Sequence, residues 1–136
     1  MSFDDAMKVS ASAMAAQGTR LRTIAENLAN ASSTAETPGG TPYRRKLVTF
    51  QDQLDKASGV HMVKIGRFLP DQTPFTVRYS PGHPAADAQG YVRFPNVNSV
   101  VELNDLREAQ RSYEANVDVI DVAKTMLSRT IDLLKS

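Results

Sequence analysis

The chain contains no cysteine. That absence excludes disulfides, thiolate metal sites and a cysteine nucleophile together, and it leaves the redox compartment open. Histidine is nearly as scarce, with only His61 and His83 among 136 residues, so an imidazole-based metal centre lacks the further ligands it would need. Charge of one sign is missing too: 16 Lys and Arg face 15 Asp and Glu, for a net +1. A balance of that kind gives no broad field for nucleic acid or an anionic membrane, and neither is expected as a partner. No stretch of about 18 apolar residues is present, so no membrane-spanning helix is expected. The opening "MSFDDAMKVSASAMAAQGTR" carries Asp4 and Asp5 where a secretory signal needs basic residues. Export, if it occurs, is expected to use a route that reads no cleavable signal peptide. The length fits one domain of ordinary size with a modest core.

What is present divides into two helical ends around a centre punctuated by Pro and Gly. From Phe3 to Ala31 the only helix breaker is Gly18, and Ala is abundant. Met7, Met14, Leu21 and Leu28 recur every seven residues, with Ile24 and Ala31 in a row offset by three. From Asn98 to Lys135 there is neither Gly nor Pro, and Leu106, Tyr113, Ile120, Leu127 and Leu134 form an unbroken seven-residue series. Such a series predicts a coiled-coil helix rather than one packed on a globular core. The fold class expected is mainly α with a small β insertion, the two long terminal helices pairing as a coiled coil. Its parts are an N-terminal helix over 1–34, a linker with a basic segment over 35–57, a β-hairpin region over 58–96 and a C-terminal helix over 97–136.

In the centre the period changes to two. "VHMVKIGRFL" is short and β-branched, "FTVRY" puts Phe75, Val77 and Tyr79 on one face, and "GYVRF" is a suitable partner for it. Pro70-Asp71, Pro81-Gly82 and Gln89-Gly90 supply the turns. Pro95 and Asn96 lead into the last helix, with Asn98 or Ser99 as its N-cap.

Little of this is chemically reactive. His83 and Asp87 in "PGHPAADAQGYV" stand four apart, but Pro81, Gly82 and Pro84 argue against a helix that would align them. They read as residues holding a loop. The "DAQG" match to nucleotide switches has no phosphate loop to accompany it, and no serine sits in a nucleophile-elbow motif. No catalytic residue, cofactor or metal is expected. The one basic cluster is in "PYRRKLVTF", where Arg44, Arg45 and Lys46 follow Tyr43. It would suit a phosphate weakly, or lie along the acidic helix of a partner: from Val97 onward seven carboxylates face five basic residues. Asn27, Asn30 and Asn116 lie in or at the end of helices, where Asn is a poor interior residue but can cap an end or fix register.

Three long blocks carry a family resemblance: "IAENLANASSTAETPGGTPYRRKLVTF", "YSPGHPAADAQGYVRFPNVN" and "EAQRSYEANVDVIDVAKTMLSRTIDLL". Together they resemble the rod, hook and hook-associated axial proteins of the bacterial flagellum, most closely the proximal-rod members. The resemblance implies a structural subunit of the basal-body rod, assembling helically into the drive shaft and export channel of a motile cell. It also implies a periplasmic rod location, export through the flagellar type III apparatus, and no enzymatic activity. The partners implied are further copies of the chain and the other rod proteins FlgB, FlgF, FlgG and FliE. Carried over by position, Asn27, Asn30, Tyr43, Tyr113, Glu114 and Asn116 would be packing and register residues. Leu21, Ile24, Leu28, Arg44, Arg45, Leu106, Ile120 and Leu127 complete the expected packing set. A stand-alone coiled-coil adaptor would share the heptads but has no use for the central blocks. Helices whose apolar seam faces a neighbour are expected to be largely unordered in the isolated monomer.

Overall fold

A computed structural model describes residues 1–136. The element order is α1 (Phe3–Ala29), β1 (Lys46–Asp55), β2 (Val60–Pro70), β3 (Thr76–Tyr79), β4 (Tyr91–Phe94) and α2 (Ser99–Lys135). Two long helices thus flank a small β region, as the sequence predicts. Both helices start on side-chain caps. The Ser2 hydroxyl accepts from Asp5 N–H at 3.2 Å while Asp5 accepts from Ser2 N–H at 2.9 Å, a reciprocal pair that satisfies donors left free by the first turn. At α2 the cap is Asn98, whose Oδ1 accepts from Val100 N–H at 3.0 Å and Val101 N–H at 3.4 Å. Beyond α1, Asn30 turns its amide back onto the Glu26 carbonyl at 2.9 Å.

The strands form two separate two-stranded sheets, β1 with β2 and β3 with β4. In the second, antiparallel sheet, Thr76 faces Phe94 and Tyr79 faces Tyr91. Opposed residues share a face, so Arg78, Val92 and Phe94 lie on one side and Val77, Tyr79 and Tyr91 on the other. Val92 is fully buried, whereas Val77, Tyr79 and Tyr91 are exposed. Alternation alone locates the apolar face of "FTVRY"; here that face turns to solvent. Strand β1 lies wholly within 35–57, the segment expected to be a linker. Its "FQDQLD" half offers no apolar row, and all ten of its residues are exposed or half-buried. Pairing with β2 makes it a strand, which is tertiary context that propensity does not carry.

The chain forms two compact units: one from Met1–Leu21, Thr49–Arg67 and Arg107–Ser136, the other from Arg22–Val48 and Phe68–Leu106. In the first, Arg20 approaches Glu108 at 3.7 Å, and Phe3 and Ala6 border Asp118–Met126. The helix segments therefore run antiparallel there. The Ser12 hydroxyl accepts from the β2 backbone at Val63, 3.2 Å away.

Neither unit has a large apolar core. The buried hydrophobic residues are Ala16, Ile24, Ala85, Val92, Ala109 and Ala123, and four of the six are alanines. On α2, Glu102, Ala109 and Ala123 are buried and Asn116 half-buried, a row with a spacing of seven or twice seven. The period is the predicted one, but the row differs. Leu106 and Ile120 are half-buried, while Tyr113, Leu127 and Leu134 are exposed. In the first unit small side chains let backbones come close, so the helices bury Ser10, Ala16, Ala109 and Ala123 and leave the larger residues of α2 outside.

Candidate functional site

The second unit is organised by "PYRRK". Asn27, near the end of α1, is 1% exposed and meets the backbone of Lys46 twice. Its Nδ2 donates to the Lys46 carbonyl at 3.0 Å, and its Oδ1 accepts from Lys46 N–H at 3.0 Å and the Tyr43 hydroxyl at 2.8 Å. A primary amide has the donor and acceptor geometry of a peptide group, so Asn27 pairs with the strand as another strand would. Burial of the phenol raises the Tyr43 pKa, with the nearby Glu26 charge adding to it. Lys46 reaches Glu26 at 2.5 Å, and that hydrogen bond raises its pKa.

One residue further, Arg45 distributes its guanidinium over three carboxylates. Nε pairs with Glu102, NH1 with Asp71 at 3.2 Å and NH2 with Asp105 at 3.4 Å. Glu102 is completely buried, and one of its oxygens has no hydrogen-bond partner. A buried carboxylate is costly unless a cation accompanies it, so Arg45 is what makes Glu102 tolerable at the start of α2. The Asp71 carboxyl is held below its usual pKa, first by the Thr73 hydroxyl and N–H and then by Arg45. Asn96 closes the arrangement: its Oδ1 accepts from Arg45 N–H at 2.7 Å, and its Nδ2 donates to the carbonyls of Asp71 at 2.9 Å and Thr73 at 3.0 Å. Arg44 donates to the Asp71 carbonyl at 2.7 Å and lies 4.2 Å from the centre of the Phe75 ring. The acidic helix that suits the basic cluster thus belongs to the same chain.

The loop between β3 and β4 is held locally. His83 Nδ1 accepts from Ala85 N–H at 3.0 Å, and Asp87 Oδ1 accepts from the N–H groups of Gln89 and Tyr91 at 3.0 and 2.9 Å. Gly90 has φ +86°, and an added Cβ would stand 2.9 Å from the Tyr79 ring. His83 and Asp87 therefore shape a turn, and no third acid, base or nucleophile converges on them.

In the first unit the outstanding feature is its surface. Val119, Val122, Met126, Leu127, Ile131, Leu133 and Leu134 of α2 are exposed. An open apolar recess of roughly 340 Å³ is lined by Phe3, Ala6, Val119, Val122 and Met126, with Asp118 and Ala123. No helix of the chain is long and apolar enough to cross a membrane.

Of the expected packing residues, Asn27, Tyr43, Arg44 and Arg45 come together in the second unit, with Ile24 buried and Leu28 half-buried there. Asn30 is spent on Glu26 and on the Ser33 hydroxyl, which donates to it at 3.1 Å. Leu21 is half-buried, Glu114 and Tyr113 are exposed, and Asn116 bonds back to the Ser112 carbonyl at 2.7 Å. Sequence reasoning missed Asp71, Glu102 and Asp105. Glu102 and Asp105 lie 57 and 60 positions from Arg45, so no local pattern pairs them with it.

Two terminal helices, a clasped linker and a locally held loop suit an axial structural protein, and the relatives of the chain are of that class. The family model "Flagella basal body rod protein" matches residues 7–35, and "Flagellar basal body rod FlgEFG protein C-terminal" matches residues 88–133. The flagellar basal-body rod protein FlgC of Agrobacterium fabrum is 50% identical over 96% of this chain and 94% of its own length. The proteins of the same name in Salmonella typhimurium and Bacillus subtilis are 42% and 36% identical, over 92% and 95% of this chain and 92% and 96% of their own lengths. The chain belongs to the FlgC family of flagellar basal-body rod proteins, which are structural and not enzymes.

Proposed function

We propose that this chain is a structural subunit of the proximal basal-body rod, packing helically against further copies of itself and against other rod proteins, FlgB, FlgF, FlgG and FliE among them. The observation that carries the reading is the row of large apolar residues left outside on α2 while alanines are buried. A subunit that keeps its larger side chains for neighbours gains most of its burial on assembly. Paired as a coiled coil, the two helices form the inner wall of the rod, where Leu106, Tyr113, Glu114, Asn116, Ile120 and Leu127 set the register between subunits. The rod lies in the periplasm and carries torque from the motor to the hook; its subunits reach it through the flagellar type III apparatus without a cleaved signal. A chain with no cysteine and a small core suits passage in an unfolded state.

The test is electron microscopy of basal bodies from a strain lacking the gene. Membrane rings without a rod, restored to complete rods by the full chain, are the expected result. Complete rods and hooks in the deletion strain would overturn the proposal and favour an adaptor acting outside the rod.

A further inference from the structure

We infer that "TAETPGGTP", residues 34–42, is a latched flap on the second unit, with the Arg93 guanidinium as its latch. The segment is an Ω-loop, a surface excursion whose ends lie together. Tyr43 N–H donates to the Ser33 carbonyl at 3.0 Å, and both end residues are themselves fixed, Ser33 to Asn30 and Tyr43 to Asn27. Inside the loop one turn closes, Gly40 N–H onto the Thr37 carbonyl at 3.1 Å. Glu36, Thr37, Pro38, Gly39 and Thr41 are exposed. A segment with tied ends, little internal bonding and most of its side chains in water opens at lower cost than the framework that carries it.

What ties the loop to the sheet is Arg93 of β4, whose NH2 group donates to the carbonyls of Gly39 and Gly40 at 2.7 Å each. Loop and sheet belong to the same unit. The closed turn depends on its glycines: Gly39 has φ +70°, and a Cβ on Gly40 would stand 2.6 Å from the Ala35 Cβ. Arg93 is exposed and faces Val77 across the sheet, so burial does not reinforce the latch and water competes for it. The two glycines complete the wall of a recess of roughly 170 Å³, bordered otherwise by Val77, Ala85, Asp87, Tyr91 and Arg93. The latch therefore separates two surfaces. Closed, the guanidinium is spent on its own chain and the recess is walled. Open, the same cation stands free beside Val77 and Tyr91, and the loop swings on Ser33 and Tyr43 while the Asn27 clasp and the bonds of Arg45 stay made.

Glu36 makes the flap readable by a glutamate-specific protease. A protease draws several residues out into its cleft, so cleavage after Glu36 reports the open fraction as long as closing outpaces cutting. In the full chain, Arg93→Gln is expected to speed that cleavage about tenfold, the equivalent of losing the net worth of the latch bonds. The urea midpoint should stay where it was, and cleavage after Glu26, within α1, should remain as slow as in the unsubstituted chain. Arg93→Lys, which keeps a cationic donor, should give an intermediate rate. Equal rates after Glu36 in the unsubstituted chain and in Arg93→Gln overturn the inference, because Arg93 then holds nothing. A rate in the unsubstituted chain already as fast as in a free peptide of residues 30–46 overturns it too, since no closed state exists. So does a lowered urea midpoint with cleavage after Glu26 accelerated in proportion, which makes Arg93 part of the framework and leaves no separate flap.

Discussion

The two units of this chain are held by different means. In the unit of Arg22–Val48 and Phe68–Leu106, side chains far apart in sequence close onto each other and onto backbone: Asn27 on Lys46, Arg45 on Glu102, Asp71 and Asp105, and Asn96 on Arg45, Asp71 and Thr73. In the unit of Met1–Leu21, Thr49–Arg67 and Arg107–Ser136, the long helices bury mostly alanine and serine and leave Val119, Val122, Met126, Leu133 and Leu134 in water. Directional polar bonds specify one geometry without help from a neighbour. Exposed apolar rows specify almost none until something covers them. The difference teaches that one unit is fixed mainly by directional polar bonds and the other by close packing of small residues, while both leave large apolar side chains such as Tyr79, Val100, Leu133 and Leu134 exposed.

The strongest way to break this comparison is Arg45→Ala. It strips the counter-charge from a fully buried carboxylate and should cost about 3 to 5 kcal/mol, read as a lower urea midpoint. Arg45→Met combined with Glu102→Leu should recover most of that loss, since the cost lies in the orphaned charge and not in the missing bond. Unchanged unfolding of the single variant would show that Arg45 is not the organising residue.

Next comes Asn27→Ala. Three hydrogen bonds are lost and both backbone groups of Lys46 are left without this partner, for about 2 to 3 kcal/mol. Amide exchange at Lys46 should accelerate more than that at Val63 in β2. Gly90→Ala follows, at about 1 to 2 kcal/mol, because φ is +86° and the new methyl would crowd Tyr79. Thermal unfolding measures it, and Gly82→Ala, with open space around the position, is the control.

Acid sharpens the contrast by a smaller amount. Asp71 has a folded-state pKa below its unfolded value of about 3.9. Its contribution is therefore fully present above that value and fades as pH falls through the lower, folded one. Stability of the wild-type chain should be flat from pH 7 to 5 and fall below pH 4, and Asp71→Asn should lessen that fall. At the bottom of the scale, Leu134→Ser should leave the unfolding of the isolated chain within about 0.5 kcal/mol of wild type, since the residue is 82% exposed. A large loss there would mean that Leu134 packs against its own chain in solution.

Much of the architecture was legible in the sequence. The helices stand out because Phe3–Ala31 and Asn98–Lys135 lack breakers, and β2, β3 and β4 because alternation and turn residues frame them. Strand β1 was not legible, since "FQDQLD" acquires its conformation from the neighbour it pairs with. The heptad period was legible while the buried row was not: a seven-residue repeat is satisfied by every parallel row of a helix, and burial of Ala109 and Ala123 in place of Tyr113 and Leu127 depends on how closely two backbones approach. Asn27, Tyr43 and Arg45 stood out as residues, but their partners did not. Asp71 and Glu102 lie 26 and 57 positions from Arg45, beyond the reach of any local pattern.

The Asn27 clasp has a mechanical side. All three of its bonds converge on one amide, and two of them end on a single residue of the strand. Turning α1 by one residue swings that amide through about 100°, so the bonds break together instead of stretching in turn. A joint built this way is stiff up to a threshold and then yields at once. Within this unit, the clasp ties the rotation of α1 about its axis to the position of the strand at Lys46.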